Sequence, residues 1–197
     1  MSSLPFILTW RYTVKTYQVK DLMIPLTEYA TVDEDATLFD AVMALEKAQL
    51  AFDHSRYQHR AILILDKEEK VVGKISQIDV LRALDPRYAE MQGSDGLARY
   101  GFSKKFMKSM LIQYHLWESP LKDICRKAGE KRVMDFMYSP TEGEYVSVEA
   151  TLDEAIHQLV LGQHQSLLVT QDDEIVGILR LTDVFAAVFH VMKQCSI

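Results

Sequence analysis

The pattern of hydrophobic and polar residues predicts the same set of elements twice along the chain. Apolar residues recur at helical spacing from Leu38 onward and again from Leu152 onward, which predicts an amphipathic helix in each stretch. Continuous apolar runs follow at 61–65 (AILIL) and 167–169 (LLV), and such runs are typical of strands that are covered on both faces. A polar turn, a second strand and a last helix complete each stretch. The second strands are predicted at 71–75 and 175–179, and the last helices at about 78–84 and 182–192.

The elements repeat because the sequence itself is duplicated. Residues 19–85 recur as residues 133–189, so that VKDLMIP matches VMDFMYSP and DATLFDAV matches EATLDEAI. Both matched helices begin with a threonine followed three residues later by an acidic residue, which is a capping signal. Matching positions lie 114 residues apart in the first half of the unit but 104 apart in the second, so the first copy carries ten extra residues near 49–59. Paired copies usually bury faces that neither could bury alone, and we therefore expect one shared core.

Three segments lie outside the repeat. Strict alternation over Leu8–Lys15 predicts an edge or docking strand, or else a tail that alternates by chance. A helix is predicted over Ser103–Trp117, where a stripe of Met and aromatic residues either covers the protein's own surface or forms a docking or dimer surface. A shorter helix is predicted over Leu121–Ala128. The chain is thus divided into an arm (1–18), a first repeat (19–85), a helical insertion (86–131), a second repeat (132–192) and a tail (193–197).

Composition narrows the class of protein. A chain of 197 residues with 48% hydrophobic and 25% charged residues is ordinary for a globular protein, and its net charge of -6 disfavours non-specific binding to nucleic acid. Its two cysteines, Cys125 and Cys195, have no metal-ligand spacing and fit a reducing cytoplasm. Apolar runs fall short of the roughly 20 residues that span a membrane. We therefore expect a cytoplasmic protein without a membrane span.

No group of residues in the sequence forms a convincing catalytic centre. The six histidines show no close metal-ligand spacing, and the chain carries neither a phosphate-loop signature nor a glycine-rich dinucleotide turn. The sequence therefore predicts neither an enzyme nor a required cofactor or metal.

Candidate binding chemistry lies in two matched segments, GKISQID at 73–79 and GILRLTD at 177–183. Each follows a strand and opens a helix, where free backbone N–H groups favour an anion and a carboxylate can accept hydrogen bonds from a ribose diol. Gly73 and Gly177 would let a flat ring approach the backbone. The spacing of Ser76 and Asp79 is also that of a capping box, so both residues either contact a ligand or serve only the helix. In the second copy Arg180 replaces the serine, and Thr182 is an alternative cap.

The repeated order of these motifs resembles a tandem pair of CBS domains, the Bateman module. The resemblance covers residues 19–85 and 132–192. It implies an α/β (α+β) fold in which two β-α-β-β-α repeats pack with pseudo-two-fold symmetry, with the helical insertion between them. It further implies two equivalent clefts that bind adenosine-containing ligands such as AMP, ADP, ATP or S-adenosylmethionine, and a disc-like homodimer of two modules.

The resemblance also assigns ligand-binding roles to individual residues. Asp79 and Asp183 match the aspartates that bind ribose, and Ser76 matches a hydroxyl that contacts ribose or phosphate. Arg180 departs from the expected Ser or Thr, so it favours more phosphate, adds charge to the neighbouring site or closes the second cleft. Val32 and Val146 match positions that line the adenine pocket, and Arg60 and His59 lie where the family often places a basic phosphate contact. Gly73 and Thr182 complete the set of expected ligand-binding residues. The ten extra residues before Arg60 either border the first cleft or extend a helix.

The resemblance favours a regulatory module that binds an adenosine ligand and transmits the bound state to an unidentified effector protein. The alternative is a scaffold for dimerisation or interaction in which the repeat no longer binds a ligand.

Overall fold

The structure is a computed structural model that describes residues 17–51, 58–84, 109, 112–113 and 123–194. The strand predicted at Leu8–Lys15 lies outside these residues. Of the helix predicted at 103–117, only residues 109, 112 and 113 are described, and all three are helical.

Each repeat forms the predicted β-α-β-β-α unit. The first copy contains β1 (Ile24–Pro25), β2 (Thr31–Asp33), α1 (Leu38–Ala51), β3 (Ala61–Leu65), β4 (Val71–Ser76) and α2 (Gln77–Ala83). A short helix, α3 (Ile124–Glu130), precedes the second copy. The second copy contains β5 (Tyr145–Ser147), α4 (Leu152–Gly162), β6 (Ser166–Gln171), β7 (Glu174–Arg180) and α5 (Leu181–Gln194). The ten extra residues of the first copy lie near 49–59. Because α1 continues to Ala51, the first of these residues belong to that helix.

Two sheets carry the same local topology. In the first copy β2 is parallel to β3, and β3 is antiparallel to β4. In the second copy β5 is parallel to β6, and β6 is antiparallel to β7. The second sheet gains one further strand, since β1 of the first copy pairs with β7 in antiparallel register.

The opening segments of the two copies are exchanged. The backbone N–H of Val19 donates to Ala150 O at 3.0 Å, and the side chain of Val19 is fully buried in the core of the second copy. Reciprocally, the N–H of Val133 donates to Ala36 O at 3.0 Å, and its side chain is buried in the core of the first copy. Each core is therefore completed by residues that belong, in sequence, to the other repeat.

A third apolar cluster joins the copies directly. It consists of Ile24, Tyr29, Leu63, Leu168 and Ile178, all of which are buried. Burial of one such aliphatic side chain contributes about 1.5–3 kcal/mol, so this cluster holds the two sheets in one arrangement and fixes the space between them.

Gly73 in β4 and Gly177 in β7 allow the exchanged opening segments to lie against these two strands. A Cβ added at Gly177 would lie less than 3.0 Å from the backbone oxygen of Ile24 in β1. A Cβ added at Gly73 would lie 2.5 Å from Met137 Sδ, in the segment whose Tyr138 exchanges two backbone hydrogen bonds of 2.9 Å with Lys74. The sequence suggested that Gly73 admits a ligand ring. The structure instead places the opening of the second copy against it.

The glycine contacts predict unequal effects of alanine at the two positions. Gly177→Ala should reduce the free energy of unfolding by about 1–3 kcal/mol, because its Cβ meets backbone that cannot move aside. Gly73→Ala should cost less, because the flexible Met137 side chain that its Cβ meets can shift. Urea denaturation of both variants is the measurement. Replacing glycine by alanine has the same effect on the entropy of the unfolded chain in both variants. An equal loss of stability in the two variants would therefore contradict the contacts described above as its cause.

Candidate ligand-binding site

A cavity of about 410 Å³ opens between the two copies. Its walls come from the start of β3, the end of β4 and the start of α2 in the first copy, and from the start of β6, the end of β7 and the start of α5 in the second. Eighteen of the described residues line it: Tyr29, Gln58, Arg60, Ala61, Lys74, Ser76, Gln77, Ile78, Asp79, Arg82, Tyr138, Glu144, Gln163, His164, Gln165, Ser166, Arg180 and Thr182. Its volume falls within the range of about 300–1,000 Å³ that small-molecule sites occupy.

Ser76 and Asp79 form a complete capping box on the wall of this cavity. Asp79 Oδ2 accepts hydrogen bonds from Ser76 N at 2.9 Å and from Ser76 Oγ at 2.5 Å, and Asp79 N donates to Ser76 Oγ at 3.3 Å. Asp79 Oδ1 accepts from Arg82 Nη1 at 3.3 Å. The capping interpretation of this pair is therefore correct. It does not remove Asp79 from the cavity, since a carboxylate oxygen can accept more than one hydrogen bond.

The matching pair in the second copy is arranged differently. Arg180 Nε donates to Asp183 Oδ2 at 2.5 Å and Arg180 Nη2 donates to Asp183 Oδ1 at 2.7 Å, which is a bidentate pair. Both side chains are nearly buried, with 5% and 11% exposed. Arg180 and Thr182 line the cavity, whereas Asp183 lies outside its lining. The carboxylate of Asp183 is thus engaged with the arginine and does not face this cavity.

Arg180 also influences Tyr29, a buried residue of the cavity wall. Burial raises the pKa of Tyr29 to about 12, although the positive charge of Arg180 and a backbone hydrogen bond at Ala61 act in the opposite direction. Tyr29 therefore stays neutral at physiological pH and presents a phenol, not a phenolate, beside the arginine.

A buried polar network crosses between the copies at one end of the cavity. Glu144, which is 1% exposed, accepts hydrogen bonds from Lys74 Nζ, from Tyr138 Oη at 2.6 Å and from Thr141 N at 3.2 Å. Burial pushes the pKa of Glu144 upward, but the hydrogen bonds from Lys74, Tyr138 and Thr141 outweigh it and hold the pKa below its ordinary value of 4.5. The hydrogen bond that Tyr138 donates to Glu144 also raises the pKa of Tyr138. Lys74 and Glu144 therefore form a charged pair across the repeat boundary.

Five of the ten residues predicted from the sequence line the cavity: Arg60, Ser76, Asp79, Arg180 and Thr182. The other five lie elsewhere. Gly73 lies against Met137, and Asp183 binds Arg180. Val32 pairs with Ile64 in β2 and Val146 pairs with Val169 in β5, so both take part in the sheets and their cores. His59 is fully buried, with its ring edge-on to Tyr29 at a centroid distance of 4.5 Å.

The network of Lys74, Glu144 and Tyr138 was not predicted from the sequence, although a comparison of the two copies, position by position, could have found it. The positions that match these residues in the other copy are apolar: Ile178, Ala30 and Ile24. Three polar residues, contributed by both copies, thus stand at positions that are buried and apolar in the twin repeat, and they place charge beside the cavity.

The described residues contain neither a candidate metal site nor a helix that could span a membrane. Within the described ranges, no group of three or more His, Cys, Asp or Glu side chains could hold a metal ion. None of the helices in the described part of the chain is long and apolar enough to cross a membrane.

Comparison with known families identifies the class of protein that this fold defines. Residues 19–86 and 133–190 match the CBS domain family. Because the two matches cover more than half of the chain, the protein belongs to this family and contains a tandem pair of CBS domains. A search of curated proteins gave no match.

Solved structures of CBS-pair proteins share the fold. A structure of CBSX2 in complex with AMP is 22% identical and covers 89% of this chain and 98% of its own, with a TM-score of 0.55. CBSX2 from Arabidopsis thaliana is 18% identical and covers 91% and 99%, with a TM-score of 0.58. A putative acetoin utilization protein, AcuB, from Vibrio cholerae is 21% identical and covers 90% and 94%, with a TM-score of 0.54.

The network predicts a specific pattern of stability changes. Glu144→Ala leaves the Lys74 ammonium without its partner and should reduce the free energy of unfolding by about 3–5 kcal/mol. Adding Lys74→Ile reproduces the residue types of the twin repeat and should recover much of that loss. Urea denaturation of the single and double variants measures both effects, and a double variant less stable than Glu144→Ala would contradict the interpretation.

The same pair sets a pH dependence. The folded-state pKa of Glu144 is lowered, so its contribution is present above pH 4.5 and is lost as the pH falls through the folded pKa. The stability difference between the wild type and Glu144→Ala should therefore narrow below pH 4.5 and stay constant from pH 6 to pH 7.

Proposed function

We propose that the protein is a regulatory module that binds an adenine nucleotide in the cavity between its two CBS domains. The observation that carries the proposal is the composition of the cavity wall, where Asp79, Ser76 and Arg60 line one space. The complex of the similar protein CBSX2 with AMP supports the choice of ligand class.

Each of these groups suits one part of a nucleotide. A ribose diol donates hydrogen bonds to a carboxylate such as Asp79, and the Ser76 hydroxyl, whose proton is donated to Asp79, keeps a lone pair that can accept one more. A guanidinium such as Arg60 binds phosphate oxygens through its planar fork. Tyr29, Ala61 and Ile78 add apolar surface to the same walls, as the purine ring requires.

A ligand in this cavity contacts both repeats, and this gives it a means of regulation. Because the openings are exchanged between the copies, a change in the packing of one repeat is transmitted to the core of the other. A partner protein that recognises one arrangement is then coupled to the nucleotide, and by linkage each changes the affinity of the other by the same factor, typically about 1–3 kcal/mol.

An interaction scaffold is the second candidate function, and an exposed apolar surface on the last helices favours it. Ile78 and Leu81 of α2 are 56% and 62% exposed, and Phe185 and Phe189 of α5 are 61% and 46% exposed. The two phenyl rings stack at a centroid distance of 6.5 Å. Large apolar side chains exposed on a helix surface can mark protein interaction sites, and a second copy of the chain is the proposed occupant.

Asp79→Ala tests nucleotide binding against a matched control. Asp40→Ala breaks the corresponding capping box on α1, where Asp40 Oδ2 accepts from Thr37 N at 2.9 Å, outside the cavity lining. Both variants should lose about 0.5–2 kcal/mol of stability with the cap. The melting temperature of the wild type and of Asp40→Ala should rise with AMP, ADP or ATP, whereas that of Asp79→Ala should not respond.

A panel of AMP, ADP, ATP, NAD and S-adenosylmethionine at millimolar concentration completes the thermal-shift test. If none of these compounds shifts the wild-type melting temperature, nucleotide binding is wrong and the scaffold remains.

Phe185 and Phe189 test the proposed dimer. The double variant Phe185→Ser, Phe189→Ser should be monomeric by light scattering at concentrations where the wild type is dimeric, because it removes aromatic area from the proposed interface. Leu161→Ser is the matched control, since Leu161 is 83% exposed on α4, another helix, and its loss should leave the dimer intact. A monomeric wild type would contradict the proposal.

A further inference from the structure

Arg180 occupies the position that matches Ser76 of the first repeat, where a small residue caps the start of the last helix. Ser76 caps α2 by bonding Asp79, and Arg180 bonds Asp183 at the same spacing. A serine would therefore suffice to engage Asp183, and a buried ion pair is weak evidence for added stability. The presence of an arginine at this position therefore requires an explanation other than the capping of α5.

The Asp183 carboxylate fixes the guanidinium at the wall of the cavity. The bidentate contacts of 2.5 Å and 2.7 Å engage Nε and Nη2, and the arginine is only 4% exposed. Arg180 lines the cavity while Asp183 does not. This is the arrangement of a positioned cation, in which a carboxylate behind the arginine sets its plane and lowers the entropic cost of binding an anion.

The charge of the whole cavity agrees with this role. Among its lining residues are four cations, Arg60, Lys74, Arg82 and Arg180, and two carboxylates, Asp79 and Glu144. The wall is therefore formally positive in a protein whose net charge is -6. The excess of cations is a local property of the cavity, and a low-dielectric cleft of one sign concentrates ligands of the opposite sign.

We propose that Arg180, positioned by Asp183, is a phosphate-binding residue for the nucleotide whose ribose is bound by Asp79. The inference rests on the proposed function and deepens it. The chain then has one ribose site instead of two, formed by the first repeat, and the second repeat supplies a cation for the phosphates in addition to Arg60. Such a site favours nucleotides with phosphate groups over adenosine, and it disfavours S-adenosylmethionine, whose sulfonium is positively charged.

Arg180→Ser tests the role while preserving the fold, since the serine restores the capping box seen at Ser76 and Asp79. Isothermal titration with adenosine, AMP and ADP separates the parts of the ligand. In the variant, the affinity for AMP and ADP should fall at least tenfold, and the affinity for adenosine should change less than twofold. Arg126→Ser is the control for the loss of one positive charge, because Arg126 pairs with Glu130 at 2.9 Å on α3 and should leave every affinity unchanged.

Asp183→Asn tests the positioning. It retains the arginine but removes the carboxylate, so the affinity for AMP should fall by less than in Arg180→Ser while the affinity for adenosine is kept. Equal losses for adenosine and AMP in either variant would show a structural role and overturn the inference. A rise to two bound nucleotides in Arg180→Ser with undiminished AMP affinity would also overturn it, because the arginine would then be a plug.

Pyrophosphate separates this inference from the proposed function, because it contains no adenosine. It should raise the melting temperature of the wild type and of Arg126→Ser but not that of Arg180→Ser. If no adenine compound binds the wild type, the proposed function fails. A pyrophosphate response that depends on Arg180 would then still support the phosphate site, and the absence of that response would overturn it too.

Discussion

The exchange of opening segments between the two repeats is the constraint on which the rest of the structure depends. Val19 completes the core of the second copy and Val133 completes the core of the first. The backbone of β1 can reach β7 only because Gly177 has no side chain. Neither repeat is thus a closed unit, and the cavity between them is a consequence of how they are joined.

The sequence predicted the repeat, the order of elements and the acidic residues at the helix starts, because these features depend on local spacing. Ser76 and Asp79 could be read both as a cap and as site residues, and they cap the helix on the cavity wall. The exchange was not predictable, because matching Val19 with Val133 shows that the positions correspond and not which core each one enters. Gly73 is an example, since the side chain that lies against it, Met137, comes from the other repeat.

Divergence between the copies explains why the two halves of the cavity are chemically different. Lys74, Glu144 and Tyr138 form a charged network on one side, whereas the matched positions on the other side are buried in apolar packing. The aspartates diverge likewise, since Asp79 lines the cavity and Asp183 binds Arg180. Under the proposed function, the cavity is therefore one site to which the two repeats contribute different groups.

A crystal structure of the protein with AMP tests this account most directly. The account predicts one nucleotide per chain in the cavity between the repeats, with the ribose hydroxyls within hydrogen-bonding distance of Asp79 and the phosphate beside Arg180. A ribose bound to Asp183, or AMP bound outside the cavity, would contradict it.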